Sequence, residues 1–246
     1  MFITRIVDYA AIEEFVQKAL AAGIIEPSNA SSWSQVLLTP KPNGKWRFCI
    51  DFRALNENTK SMGWPIPVIQ QVLQRIGEKE PQYFAVLDLT QGYYQASISN
   101  ATKDLTAFRT PRGLYRWKRL PMGLKGAPSW FQQQMSTKVF AGLLYNICEV
   151  YLDDIIVFGK TEDEFINNLK TVFERLKEFN ITINPEKCRI GLSEVEYIGH
   201  VINRHGVTFS DKKKNEVLHF TKPKTHRELK SFLGLASYLR AHVREQ

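Results

Sequence analysis

Cysteine is scarce in this chain, and its placement excludes several classes of protein. The three cysteines, Cys49, Cys148 and Cys188, lie far apart and form no Cys-x-x-Cys pair. A disulfide-stapled secreted scaffold and a cysteine-rich zinc module are both poor descriptions, and a reducing, intracellular compartment fits better. Long hydrophobic runs are missing as well. Nowhere do about 18 apolar residues follow one another, and MFITRIVDYA at the start has no apolar core before a small-residue cleavage site. Neither a signal peptide nor a membrane span is expected. Internal repeats and low-complexity tracts are also lacking, which sets aside solenoids and flexible linkers.

What is present suits a globular protein with a sizeable core: 246 residues, 43% hydrophobic and 24% charged. One domain built of subdomains is compatible with that length. Basic residues are in excess, for a net charge of +8, and residues 205–246 carry nine Lys or Arg against four acids. Such a skew points toward a polyanionic partner, although a run such as Lys212-Lys213-Lys214 is more often just a solvated face.

The pattern predicts an α+β fold with a central antiparallel sheet. A first helix is expected over 8–23, with Asp8 as N-cap, apolar positions at Ile12, Phe15, Val16 and Leu20, and Gly23 as the stop. Residues 36–52 read as two strands around Pro42-Asn43-Gly44-Lys45, a tight-turn signal with basic groups at its tip. Further helices are expected over 128–144, 162–179 and 226–243. The last two open with the capping boxes Thr161 to Glu164 and Thr225 to Glu228.

The chemistry is concentrated in acids at strand ends. YFAVLDL (83–89) is an apolar run that closes on Asp88, and ICEVYLDDIIVF (147–158) is two β-rich runs with Asp153-Asp154 between them. Charge placed inside a hydrophobic sheet needs a partner. Two adjacent aspartates can instead simply form a hairpin turn. If Asp88 converges with them on one sheet edge, the three make an oxygen-rich site suited to Mg²⁺.

Asp88 within FAVLDLTQGYYQ, the YLDD box, LPMGLKGAPSWFQ, NPEKC, YIGH and the upstream PKPNGKWRFCIDFRALN occur in the order found in reverse transcriptases. The chain thus resembles that family over 22–238, with wording similar to gypsy-type LTR retrotransposons. The resemblance implies a right-hand polymerase with fingers at 1–60 and 96–126, palm at 61–95 and 127–205, and the start of a thumb at 206–246. It also implies an RNA-directed DNA polymerase that extends a primer with dNTPs on an RNA or DNA template. Asp88, Asp153 and Asp154 would hold two Mg²⁺ ions, for which Mn²⁺ can substitute.

Other roles follow from the resemblance, position by position. Lys41 and Arg47 fall where the incoming triphosphate is contacted, and Lys41 is also readable as an exposed loop lysine. Tyr93 resembles the aromatic gate that excludes a ribose 2′-hydroxyl, with Gln91 and Gly92 beside it offering backbone N–H groups to phosphate. Met122, Gly123 and Lys125 lie in the loop that contacts the nascent pair and template. Met122 replaces the Gln or Phe common in relatives, so packing is its expected role. Tyr151 and Leu152 precede the paired acids, and Ile198, Gly199 and His200 match the primer grip. His200 reads as structural or primer-facing. Lys187 matches a lysine that protonates the pyrophosphate leaving group, and is also readable as a surface lysine after a turn. No second acidic constellation for an RNase H and no His/Cys module of the integrase kind follows, so the chain reads as a polymerase fragment of a longer polyprotein or a truncated gene product. Its expected location is the cytoplasm or a virus-like particle. The alternatives are an RNA-dependent RNA polymerase, disfavoured by Tyr93 and Tyr151, and a catalytically silent, nucleic-acid-binding relic.

Overall fold

The first helix starts at Tyr9 because the Asp8 carboxylate accepts a hydrogen bond from the Ala11 amide (3.0 Å), satisfying one of the donors a helix start leaves unpaired. The computed structural model describes residues 8–41 and 44–239, apart from the side chains of 212, 213, 216, 217, 235 and 237–239. The helices in it are α1 (Tyr9–Ala21), α2 (Arg53–Glu57), α3 (Ile69–Glu78), α4 (Gly92–Gln95), α5 (Asn100–Lys103), α6 (Ala127–Gln134), α7 (Glu162–Glu178), α8 (Asp211–Leu218) and α9 (His226–Leu239). The strands are β1 (Ile25–Pro27), β2 (Ser34–Pro40), β3 (Trp46–Asp51), β4 (Tyr83–Asp88), β5 (Phe108–Thr110), β6 (Gly113–Trp117), β7 (Cys148–Tyr151), β8 (Asp154–Gly159), β9 (Arg189–Leu192), β10 (Glu194–Tyr197), β11 (His200–Asn203) and β12 (Gly206–Phe209). They form two compact units, Met1–Ile66 with Leu89–Ala141 and Leu176–Ile183, and Pro67–Asp88 with Gly142–Arg175 and Asn184–Gln246.

The first unit is built on a five-stranded sheet of order β1-β6-β5-β2-β3, antiparallel except for the β2–β5 pair. Strand periodicity turns Val36 and Leu38 of β2 toward the core and leaves Leu37 exposed. Ile12, Val16 and Ala19 of α1 pack on Ile25, Phe52, Phe108 and Trp117, and Phe15 stacks on Phe48 with ring centroids 3.8 Å apart. Each large apolar side chain buried there contributes about 1.5–3 kcal/mol. The expected hairpin is β2–β3; Asn43 of its turn lies outside the described residues.

The second unit holds an antiparallel sheet of order β7-β8-β4-β9 and a smaller one of order β10-β11-β12. Ile155, Ile156, Val157 and Phe158 are all buried, which explains why β8 reads as an unbroken apolar run. Helix α3 lays Val72, Leu73 and Ile76 against Phe84, Ile156 and Phe158. Arg75 on the same helix forms a bidentate pair with Glu149 (Nε to Oε1 2.7 Å, Nη2 to Oε2 2.9 Å), and Glu149 is only 1% exposed.

The helix expected over 128–144 is shorter. The chain widens into a π-helical stretch at Met135–Val139, where the Phe140 amide reaches back five residues to the Met135 carbonyl (2.9 Å), and the helix is over before Gly142. The Thr225–Glu228 capping box forms in both directions, the Glu228 amide donating to the Thr225 hydroxyl and the Thr225 amide to the Glu228 carboxylate (both 3.2 Å), whereas at Thr161 the Glu164 amide donates to the hydroxyl (3.3 Å) and the Glu164 carboxylate accepts from the Lys160 amide (2.9 Å). Of the final helix expected over 226–243, residues 240–243 lie outside the described residues.

Candidate catalytic carboxylates and their surroundings

Three strands determine where the acidic groups stand. In the β4–β8 ladder Asp88 is paired with Asp154, and in the β7–β8 ladder Tyr151 is paired with Asp154, so Leu152 and Asp153 make the connecting turn. Leu152 has φ +57°, a conformation bulky residues rarely adopt and one that costs about 1–3 kcal/mol. The surrounding pairing holds the turn there and fixes the two aspartates at the sheet end. Tyr197, 1% exposed, donates its hydroxyl to the Asp154 backbone oxygen (3.3 Å), tying the smaller sheet to this turn.

On the other flank of β4, Val86 is paired with Arg189 of β9. Continuing that antiparallel register by two residues brings Lys187 opposite Asp88, and the Lys187 ammonium lies 3.2 and 3.3 Å from the two Asp88 carboxylate oxygens. The backbone enforces this approach: the Asn184 amide donates to the Asp88 carbonyl (2.8 Å), and the Lys187 amide to the Asn184 carbonyl (3.1 Å). Proline in Asn184-Pro185-Glu186-Lys187 suits such a turn.

Burial, followed by the charges of Asp153 and Asp88, pushes the Asp154 carboxyl up to about 6, with Lys187 acting in the opposite sense. Such a group gains from a cation beside it. The oxygen-only donor set of Asp88, Asp153 and Asp154 suits a hard divalent ion. The expected convergence of all three is nevertheless incomplete: among the described residues no three His, Cys, Asp or Glu side chains stand together as a ready metal cage. Like charges repel, and Asp88 is engaged by Lys187.

Ile198 and Gly199 have φ +45° and +79°, the double left-handed turn that joins twisted strands β10 and β11 most tightly. The β-branched Ile198 is strained there. His200 is 3% exposed, its Nδ1 lies 3.1 Å from the Ile198 carbonyl oxygen, and its ring packs on Phe209. Of the two expectations for His200, burial selects the structural one.

The remaining candidates belong to the first unit. Gln91 (φ +50°) opens the short helix α4, where Gly92 is buried and the half-buried Tyr93 stacks on Phe131 at 4.8 Å and 13°. Gln95, not singled out from sequence, locks this turn: its amide donates to the Thr90 and Thr182 carbonyls (2.7 and 2.8 Å) and accepts from the Thr182 amide (2.8 Å). Asn56 does the same for the Met122–Lys125 loop, donating to the Gly123 carbonyl and accepting from the Lys125 amide, both at 2.8 Å. Both lie inside the quoted motifs, but an amide side chain gives no periodic signal of what it clamps. Gly123 (φ +96°) turns toward Phe52, where an added Cβ would lie 3.5 Å from the ring. The Lys125 ammonium donates to the Thr59 carbonyl (3.1 Å). The packing role expected for Met122 is overturned, since it is 57% exposed at the tip of this loop, where little surrounds it. Lys41 and Arg47 are exposed on the β2–β3 hairpin.

Comparison with known proteins agrees with the resemblance read from the sequence. The family model described as reverse transcriptase (RNA-dependent DNA polymerase) matches residues 39–202. The chain is 35% identical over 239 residues to the retrovirus-related Pol polyprotein from transposon 412 of Drosophila melanogaster, covering 95% of this chain and 19% of that protein. It is 33% identical over 234 residues to the transposon Tf2-3 polyprotein of Schizosaccharomyces pombe, covering 95% and 17%. The chain therefore spans under a fifth of these relatives' length. The fold is similar to that of the foamy viral protease-reverse transcriptase solved in complex with an RNA/DNA hybrid, with TM-score 0.83 and 24% identity over 97% of this chain and 32% of that one. No described helix is long and apolar enough to cross a membrane.

Proposed function

Because the chain belongs to the reverse transcriptase (RNA-dependent DNA polymerase) family, we propose that it is the polymerase portion of a retrotransposon polyprotein and extends a primer with dNTPs on an RNA or DNA template. The observation that carries this reading is the pairing of Asp88 with Asp154 across the β4–β8 ladder, with Asp153 in the adjoining turn. Placing three carboxylates at one sheet end costs stability and does nothing for packing, as the raised Asp154 carboxyl attests.

Asp88, Asp153 and Asp154 would hold two Mg²⁺ ions, with Mn²⁺ as a substitute, and the ions would supply Lewis acidity and charge neutralisation at the phosphates. The chain's own groups do the rest. Lys41 and Arg47 neutralise the triphosphate, Arg47 through a fork that matches phosphate geometry. Backbone N–H groups at Gln91 and Gly92 hold phosphate oxygens, and Tyr93, braced by Phe131, excludes a ribose 2′-hydroxyl. Lys187 protonates the departing pyrophosphate. Gly123 and Lys125 border the template strand, and Tyr151, Leu152, Ile198 and Gly199 belong to the turns that set the primer terminus, the buried His200 supporting the second of them through its contact with the Ile198 carbonyl. The fingers comprise 1–60 and 96–126, the palm 61–95 and 127–205, and the thumb begins at 206. RNase H and integrase regions belong to the rest of the polyprotein, which works in the cytoplasm or in a virus-like particle.

Primer extension on an RNA template tests this reading. Extension with dNTPs and Mg²⁺ that is lost in Asp153→Asn supports it; a folded protein that binds template-primer but extends nothing sinks it.

A further inference from the structure

The Lys187–Asp88 pair is held by more than two side chains meeting at a surface. Strand β9 and the Asn184 turn fix the lysine backbone against β4, so the ammonium spans both oxygens of Asp88 (3.2 and 3.3 Å) while remaining 62% exposed. A monovalent cation thus already stands at one of the three carboxylates expected to bind metal. Those carboxylates are not gathered into a ready cage among the described residues.

We propose that Lys187 is a built-in counter-ion of Asp88 in the metal-free protein, and that a divalent cation displaces it on binding, so that this lysine sets the metal affinity of the site. This rests on the reading of the three aspartates given above. The ammonium lowers the repulsion among Asp88, Asp153 and Asp154 when no metal is bound, and competes with metal for Asp88. Its displacement also frees it for a phosphate oxygen, which links metal loading to the availability of the proton donor. The flexible, exposed lysine stem permits such an exchange without movement of the strands.

The test is Mn²⁺ binding to the full chain without nucleotide or nucleic acid, followed by the electron paramagnetic resonance signal of free Mn²⁺. Lys187→Gln should bind Mn²⁺ about three- to tenfold more tightly than the wild type, as expected for loss of a partly exposed competing charge. Lys187→Arg, which retains the charge, should stay within about twofold of the wild type, and the gap for Lys187→Gln should narrow as salt is raised. Equal affinity in Lys187→Gln, or weaker binding, overturns the proposal; weaker binding would mean that the lysine props the acids into place. If Asp153→Asn binds Mn²⁺ as well as the wild type does, the metal-site reading itself fails, and the counter-ion proposal with it.

Discussion

Replacing Asp154 with asparagine should make the metal-free protein more stable while abolishing polymerisation. Burial, then Asp153 and Asp88, raise the Asp154 carboxyl from 3.8 to about 6. At a neutral pH the folded chain must therefore hold a carboxylate it would rather keep protonated. A shift of that size corresponds to about 3 kcal/mol, and screening by solvent at this partly exposed side chain reduces it to about 1–2 kcal/mol. The sign follows from proton linkage. Between roughly pH 4 and 6 the folded protein retains a proton that the unfolded chain has released, so stability falls as pH rises through that window, and the full cost is present above it. Asp154→Asn removes the ionisation without changing side-chain size. Urea denaturation in EDTA should find the variant more stable by about 1–2 kcal/mol at pH 8, with Tm higher by about 2–8 °C, and the two proteins converging below about pH 4. Adding Mg²⁺ should narrow the gap by stabilising only the wild type. A variant no more stable than the wild type at pH 8, or a gap independent of pH, would refute the reasoning, because it would mean that Asp154 is not an electrostatic burden on the fold.

Three other substitutions probe separate parts of the molecule. Arg75→Met leaves Glu149, 1% exposed, without its bidentate partner and should cost about 3–5 kcal/mol in urea denaturation; a loss below 1 kcal/mol would show that Glu149 is solvated in the folded state. Gly159→Ala would place a Cβ 2.6 Å from the Phe165 backbone nitrogen and Cα, so a loss of about 1–3 kcal/mol is expected in the thermal melt. Tyr93→Ala should admit rNTPs, raising the ratio of kcat/KM for rNTP over dNTP at least tenfold on the order of one ring contact; single-turnover incorporation assays measure this ratio, and unchanged discrimination would remove Tyr93 from the gate role.

Much of the architecture was legible because it is local and periodic. Asp8 announced α1, the tight-turn signal at Asn43-Gly44 between apolar flanks announced β2 and β3, and the unbroken apolar run from Ile155 to Phe158 announced a fully buried strand. Helix α3 stands outside the helices expected from the sequence although Ile69, Val72, Leu73 and Ile76 keep helical spacing. The π-helical turn at Met135–Val139 left no comparable trace, because the buried Phe131, Met135 and Val139 recur every four residues, a spacing that reads as ordinary α-helix. The ordered motifs named the catalytic candidates. They did not reveal the amide clamps Gln95 and Asn56, whose partners are backbone groups 87 and 67 to 69 residues away along the chain.

The sequence by itself determined the residue types: which carboxylates end apolar strands, which turns can be tight, and which boxes occur in what order. Tertiary structure alone decided their company. Antiparallel register set Asp154 against one side of Asp88 and Lys187 against the other, although these residues lie 66 and 99 positions further along the chain. Burial made Asp154 reluctant to ionise and withdrew His200 from solvent, while leaving Met122 exposed. Local preference acts over a few residues, whereas charge, burial and register depend on which distant strands become neighbours.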